Sequence, residues 1–115
     1  MPNLPTPPYY AAIFSAQLRE GSDDYSKTAE RMVNLAKTMP GFLGLETARN
    51  EDGFGITVSY WESEAAIKNW RDNDEHAQAR QRGRKEWYAD YTIRVARVER
   101  SYEMDGTHDG SNNRP

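Results

Sequence analysis

The twenty residues "FLGLETARNEDGFGITVSYW", 42 to 61, leave this chain few ways to fold. Asn50, Glu51, Asp52 and Gly53 carry turn chemistry, and the runs on either side read as the strands of a hairpin, Phe42 to Arg49 and Gly55 to Trp61. In the second run Ile56, Val58 and Tyr60 share one face, while Thr57, Ser59 and Trp61 share the other. The two faces differ in polarity, so each meets a different environment.

The flanking text adds the remaining elements. From Tyr9, "YYAAIFSAQL" also has period two. Tyr10, Ala12, Phe14, Ala16 and Leu18 fall on one face, and Ile13, Ser15 and Gln17 on the other. The small and polar second face reads as one that lines a space. "REGSDD" is a turn in which Asp23 or Asp24 can cap a helix. Tyr25, Ala29, Met32, Val33, Ala36 and Met39 then recur at helical spacing until Pro40-Gly41 stops the helix near Met39. Met32 and Met39 read as core filling. Beyond the hairpin, Ser63 can cap a helix over "SEAAIKNW", and Asp72 or Asp74 a second over "EHAQARQRGRKEWY". On that second helix His76, Arg80, Gly83 and Trp87 step by four, three and four along one face. Gly83 costs about 1 kcal/mol there, so a close backbone approach or a bend is expected to justify it. In "YADYTIRVARVERSY" Tyr91, Ile93 and Val95 alternate, and Ala96 and Val98 continue on the other parity. The switch near 95 and 96 implies a bulge or a strand that serves two surfaces.

The resulting order, β-α-β-β-α-α-β, predicts an α+β, ferredoxin-like split βαβ sandwich with helices on one face of a four-stranded sheet. Residues 1–8, with four prolines, read as an N-terminal arm, 9–103 as the domain, and 104–115 as a flexible polar tail. A sheet covered on one face only calls for a second copy on the other, so a homodimer is expected.

Composition narrows the chemistry. The 115 residues carry 15 basic and 18 acidic side chains, a formal charge of -3, with no basic block to hold a phosphate backbone, so nucleic acid is not an expected partner. There is no cysteine, which removes disulfides, thiolate nucleophiles and thiolate metal ligands. No signal-peptide pattern opens the chain and no apolar run is long enough to span a membrane, so no membrane partner and a cytoplasmic location are expected. Carboxylates sit mainly at helix starts, and His76 has Arg80 one turn on, which opposes a cation; no metal site is expected. The glycines of "GFLGLE" and "DGFGIT" do not open helices after strands, so they form no phosphate cradle and no nucleotide cofactor is implied.

What remains is an aromatic pocket with a few polar groups: Trp61, Trp70 and Trp87 with Tyr88, and Ser15, Gln17, Thr57, Ser59, His76 and Arg80. Such a lining can hold a flat, partly polar organic molecule. A neutral His76 can accept a phenolic proton and Arg80 can steady the resulting oxyanion. The bland reading of the tryptophans, at the ends of their elements, is that they anchor a small core.

"MPGFLGLETARNEDG", "GITVSYWESEAAIKNW", "EHAQARQRGRKEWY" and "YTIRVARVERSY" together resemble the antibiotic biosynthesis monooxygenase domain, a dimeric α+β barrel family, from Tyr9 to Tyr102. The family includes quinol and anthrone-type oxygenases, haem-degrading enzymes and proteins of unknown role. Its oxygenases are similar in needing no metal or flavin: an electron-rich phenolic substrate is deprotonated and reacts with dioxygen itself. The haem-degrading members resemble one another in a first-strand asparagine, a tryptophan ending the helix and a histidine ten residues further on. Here Trp70 matches the tryptophan, but Arg80 stands at the histidine position and Ser15 lies near that of the asparagine, so the resemblance does not extend to haem. It implies a cofactor-independent monooxygenase acting on a small aromatic or quinol-like compound; within that reading, helix phase makes His76 and Arg80 the expected catalytic residues, and the pocket reading makes Ser59, Trp61, Trp70 and Trp87 the expected substrate contacts. The alternative is a non-catalytic, small-molecule-binding dimer of the same fold, or a scaffold.

Overall fold

A computed structural model of the chain describes residues 3–22 and 24–104. Its elements are β1 (Tyr9–Leu18), α1 (Tyr25–Ala36), β2 (Phe42–Arg49), β3 (Phe54–Trp61), α2 (Glu64–Asp72), α3 (Asp74–Arg82), a π-helical turn (Gly83–Trp87) and β4 (Tyr88–Val98). The sheet runs β2-β3-β1-β4 with every neighbouring pair antiparallel. The element order and the α+β architecture are those expected from the periodicities. The tail beyond residue 104, with His108, lies outside the described residues. Among the described residues no helix is long and apolar enough to cross a membrane.

The hairpin turn closes as its residue types dictate. Gly53 N–H donates to the Asn50 carbonyl at 3.0 Å, and Phe54 N–H to the Asp52 carboxylate at 3.0 Å. At the other end of the hairpin Trp61 is wholly buried and packs with Ala36 and Ala66, so the core joins β3 to both α1 and α2. Small residues on the helices let the sheet approach there. Gly41 does the same for the loop: its φ is +83°, and a Cβ would stand 2.7 Å from that of Ala66. Its carbonyl accepts from Glu62 N–H at 2.8 Å, which ties the start of β2 to the end of β3.

Register decides which parity meets the helices. Phe14 pairs with Thr57 and with Ile93, and Ala12 with Ser59 and Val95. Ser59 pairs in turn with Leu45. These residues form the helix-facing side, continuous with Trp61. Ser15 pairs with Ile56 and Gln17 with Phe54, on the opposite side. Ser15 and Gln17 therefore do not line the interior as expected. Gln17 instead donates from Nε2 to the Asp52 carbonyl at 2.7 Å and holds the hairpin turn.

Four further expectations are corrected. Helix α1 ends at Ala36, and Lys37 to Met39 continue only as tight turns. Asp24 stands at its N-cap position without a side-chain capping bond, because its carboxylate is taken by Trp87 and Arg82; Asp23 lies outside the described residues. Asn73, not Asp72 or Asp74, caps α3, its Oδ1 accepting from His76 N–H at 3.1 Å. The bulge of the last strand falls at Ala89, between the pairs Gln17–Asp90 and Leu18–Tyr88, and pairing is regular through residues 95 and 96. The change of apolar parity there reflects a strand that serves two surfaces. The Ser63 cap is present, accepting from Ala66 N–H at 3.1 Å.

Candidate functional site

Between the helix-facing side of the sheet and the helices lies a cavity of about 1030 Å³. Its floor includes Ala12, Phe14, Thr57 and Ser59, and its walls include Tyr25 and Met32 from α1, Trp70 from α2, His76 and Arg80 from α3, and Tyr88. Ile93 and Val95 complete it along β4 and are 48% and 50% exposed, so the cavity opens to solvent on that edge.

One end is organised by the C-terminus of α2. A helix end leaves carbonyl acceptors unpaired. Here the Trp70 carbonyl accepts from His76 Nδ1 at 2.8 Å, and the Arg71 carbonyl accepts from Arg80 Nη2 at 3.0 Å. Two side chains one turn apart on α3 are thus aimed by two consecutive carbonyls of α2. The His76 ring also lies flat on Trp70, with centroids 3.9 Å apart and planes at 9°. Trp70 in turn stacks on Trp61 at 6.1 Å and 25°.

This geometry fixes the state of His76. A carbonyl oxygen can only accept, so Nδ1 carries the proton and Nε2 the lone pair. Burial, with Arg80 nearby, lowers the His76 pKa and so favours the neutral ring, although the bond to the Trp70 carbonyl acts in the opposite direction. Nε2 makes no hydrogen bond among the described residues. Arg80 is complementary: its Nη2 is engaged, but its Nε is buried without an acceptor. Both side chains line one cavity, His76 with a free Nε2 and Arg80 with a buried Nε that lacks an acceptor.

The other end is aromatic and internally satisfied. Tyr25, Tyr88, Tyr91, Phe14 and Trp87 meet edge-on or tilted at centroid distances of 5.2 to 5.8 Å. Arg49 lies over the Tyr25 ring at 5.0 Å, donates to its hydroxyl at 3.0 Å and to the Gly53 carbonyl at 2.5 Å. Trp87 Nε1 donates to Asp24 at 2.9 Å, and the Arg82 guanidinium covers its ring at 4.8 Å. Burial, then the neighbouring Tyr25 hydroxyl, push the Tyr88 phenol well above its ordinary range. Gly83 makes this packing possible, since a Cβ there would stand 2.5 Å from the Tyr88 ring. Of the two roles expected for this glycine, close approach or a bend, the packing of Tyr88 against it shows the close approach, at the start of the π-helical turn.

The candidates from sequence thus separate. Trp70, His76 and Arg80 come together at one end, with Ser59 in the floor. Ser59 Oγ accepts from Trp61 Nε1 at 2.9 Å, so part of its capacity is committed to the core. Trp61 has no exposed surface and is not in the cavity wall; it stands behind Trp70. Trp87 is 3% exposed and separates the cavity from a shallower groove of about 310 Å³ between α1 and α3. Tyr88, expected beside Trp87 in the aromatic pocket, does line the cavity, while sequence reasoning missed Tyr25, Arg49, Ile93 and Val95 as cavity residues. Their parity and helix phase carried the signal, and only the registers say which side faces inward. Among the described residues no group of three His, Asp or Glu side chains is placed to hold a metal ion.

Residues 9–82 match the family model described as antibiotic biosynthesis monooxygenase. A curated relative, the uncharacterized protein YqjZ of Bacillus subtilis strain 168, is 55% identical over 96 residues, covering 84% of each chain. Among solved structures, the fold is similar to that of a variant of SnoaB, a cofactor-independent oxygenase from Streptomyces nogalater. The TM-score is 0.71 at 9% identity, over 81% of this chain and 95% of that one. Protein SO0527 from Shewanella oneidensis gives a TM-score of 0.73 at 10% identity, over 82% and 94%. At such identities the likeness to the solved structures is one of fold.

Proposed function

The chain belongs to the antibiotic biosynthesis monooxygenase family, and from that premise we propose that it is a homodimeric, cofactor-independent monooxygenase acting on a small aromatic or quinol-like compound. The observation that carries this reading is the pairing of His76, with Nδ1 committed to the Trp70 carbonyl and Nε2 free, with Arg80, whose Nε–H lacks an acceptor. His76 Nε2 takes the proton of an acidic hydroxyl. Arg80 stabilises the oxyanion, a charge-assisted contact in a partly dehydrated site. Trp70 and the aromatic end hold the ring system by its faces and edges. The electron-rich anion then reacts with dioxygen: one oxygen atom enters the substrate, and the other leaves as water with two hydrogens drawn from the oxidised position.

The open β4 edge favours a second reading, reversible binding of the same ligand class without turnover, since reactive intermediates are normally shielded from water. Oxygen uptake with a panel of hydroquinones and anthrones, using metal-free protein, separates the two. The oxygenase reading expects uptake above the spontaneous rate and its loss in His76→Ala. No uptake above that rate, together with tryptophan quenching on titration of the same compounds, would leave a binder.

A further inference from the structure

The floor of the cavity carries side-chain hydroxyls on one side of the hairpin. Thr47, Thr57 and Ser59 all line it, with Thr47 opposite Thr57 in the β2–β3 register. Their hydrogen bonds differ in kind. Thr47 Oγ1 and Thr57 Oγ1 stand 2.8 Å apart and either can donate to the other, so that pair can turn to suit what lies above it. Ser59 has no such choice. Its Oγ stands 2.9 Å from Trp61 Nε1, and an indole N–H only donates, so Oγ accepts. Trp61 has no exposed surface, so its N–H has no water to turn to, and without Ser59 it would be a buried donor left unpaired. The hydrogen of the Ser59 hydroxyl is thereby left over, and it meets no acceptor among the described residues. Ser59 is only 9% exposed and lines the cavity, which is where that hydrogen can be used.

We propose that Ser59 is a specificity-determining residue that donates its O–H to a carbonyl oxygen of the ligand, and that Trp61 is the positioning residue that fixes this direction. This rests on the ligand site of the preceding reading and requires no turnover. The ligand class narrows accordingly. His76 Nε2 offers a lone pair and takes a hydroxyl hydrogen, whereas Ser59 offers a hydrogen and takes a carbonyl oxygen. A flat aromatic compound that bears a hydroxyl and, elsewhere on its rings, a carbonyl answers both. A methylene in place of the carbonyl leaves the Ser59 hydrogen unspent, and a ligand N–H meets it donor to donor. A site built to hydrogen-bond its ligand rejects an analogue that cannot reply, because its own polar group is then left unpaired. Trp61, expected from sequence to touch the substrate, thus acts on it through Ser59.

The test is anaerobic calorimetric titration with three phenols of one shape: hydroxyfluorenone, hydroxyfluorene and hydroxycarbazole. With the hydroxyl at the same ring position, they place a carbonyl, a methylene and an N–H at the bridge. Wild type should bind the ketone most tightly. Ser59→Ala should lose about three- to tenfold in ketone affinity and stay within about twofold of wild type for the fluorene. Ser59→Thr keeps the hydroxyl and should keep the preference. Trp61→Phe frees the Ser59 hydroxyl to turn, so the carbazole should approach the ketone in affinity; uniform weakening of all three would overturn the positioning role. Circular dichroism checks folding, and if Trp61→Phe does not fold, the two Ser59 variants decide the proposal alone. Equal losses of ketone and fluorene in Ser59→Ala would overturn it, as would a wild type that binds none of the three or does not prefer the ketone. Failure of the oxygenase reading is seen separately, as absent oxygen uptake by a protein that still shows this preference.

Discussion

The two ends of the cavity bury similar side chains and leave them in opposite states. At the Tyr88 end no buried side-chain donor is left over among the described residues: Arg49 serves Tyr25 and Gly53, and Trp87 serves Asp24. At the Trp70 end the bonds stop one short, with His76 Nε2 and Arg80 Nε left over. A satisfied network rigidifies, whereas an unsatisfied buried donor costs stability and is available for a ligand. The difference teaches that aromatic content does not mark the reactive end of this cavity. The unspent hydrogen-bonding capacity does.

The largest effect that tests this contrast lies behind the reactive end. Trp61→Ala removes a side chain with no exposed surface and the support of Trp70. It should cost about 3–5 kcal/mol in urea denaturation. A loss under about 1 kcal/mol would mean that Trp70 and His76 are held without it. Arg80→Met comes next. If its Nε–H serves a substrate oxyanion, turnover should fall about a hundredfold or more, with little change in the denaturation midpoint. Arg49→Met should do the reverse, lowering stability by about 1 kcal/mol through the lost hydrogen bonds. Equal effects of the two substitutions on turnover and stability would erase the distinction between the ends.

How much of this was legible in sequence follows from the same contrast. The hairpin, the Ser63 cap and the helix phase of His76 and Arg80 are local, and local rules reach them. Ser15 and Gln17 show where local rules stop. Alternation separates the two sides of β1, but only pairing with Thr57 and Ser59 says which side the helices cover. Trp61 reads as a pocket wall because it shares parity with Ser59; its burial behind Trp70 is a tertiary fact. The aiming of His76 and Arg80 by backbone carbonyls of α2 has no residue-type signature, since every residue has a carbonyl. The π-helical turn likewise changes the phase of Trp87, so regular helical steps from His76 do not place it.

A smaller effect probes the satisfied end. Gly83 has an ordinary helical backbone, φ -58°, so what it supplies is space and not a special conformation. In Gly83→Ala the new methyl must displace the Tyr88 ring, which packs on Phe14, Tyr25 and Tyr91. Overpacking costs about 1–3 kcal/mol, and the better helix propensity returns about 1 kcal/mol. The net loss should be about 1 kcal/mol in thermal or urea unfolding, with the His76 end unaltered in turnover. A stabilised variant would show that the aromatic end tolerates rearrangement and is not the rigid partner in the comparison.

The smallest effect is in pH. The His76 pKa is lowered in the folded chain, chiefly by burial, so the unfolded chain binds the proton more readily below pH about 6.5. The contribution of neutral His76 to stability is therefore fully present above that pH and is lost as pH falls through the folded pKa. Other groups titrate lower: Asp24, Asp72 and Glu75 have pKa values held down by hydrogen bonds from Trp87, Lys68 and Arg31 respectively, and their contributions are lost further into acid. The comparison is thus between wild type and His76→Gln over mildly acid pH, with urea midpoints as the measure. Wild type should lose stability faster than the variant as pH falls below about 6.5, and the two curves should run parallel above it. Oxygen uptake should fall in the same direction, because a protonated imidazole has no lone pair at Nε2 to accept the substrate proton. Stability curves that stay parallel throughout would mean that His76 is as easily protonated folded as unfolded, and the reactive end would then lose the neutral base that distinguishes it from the other.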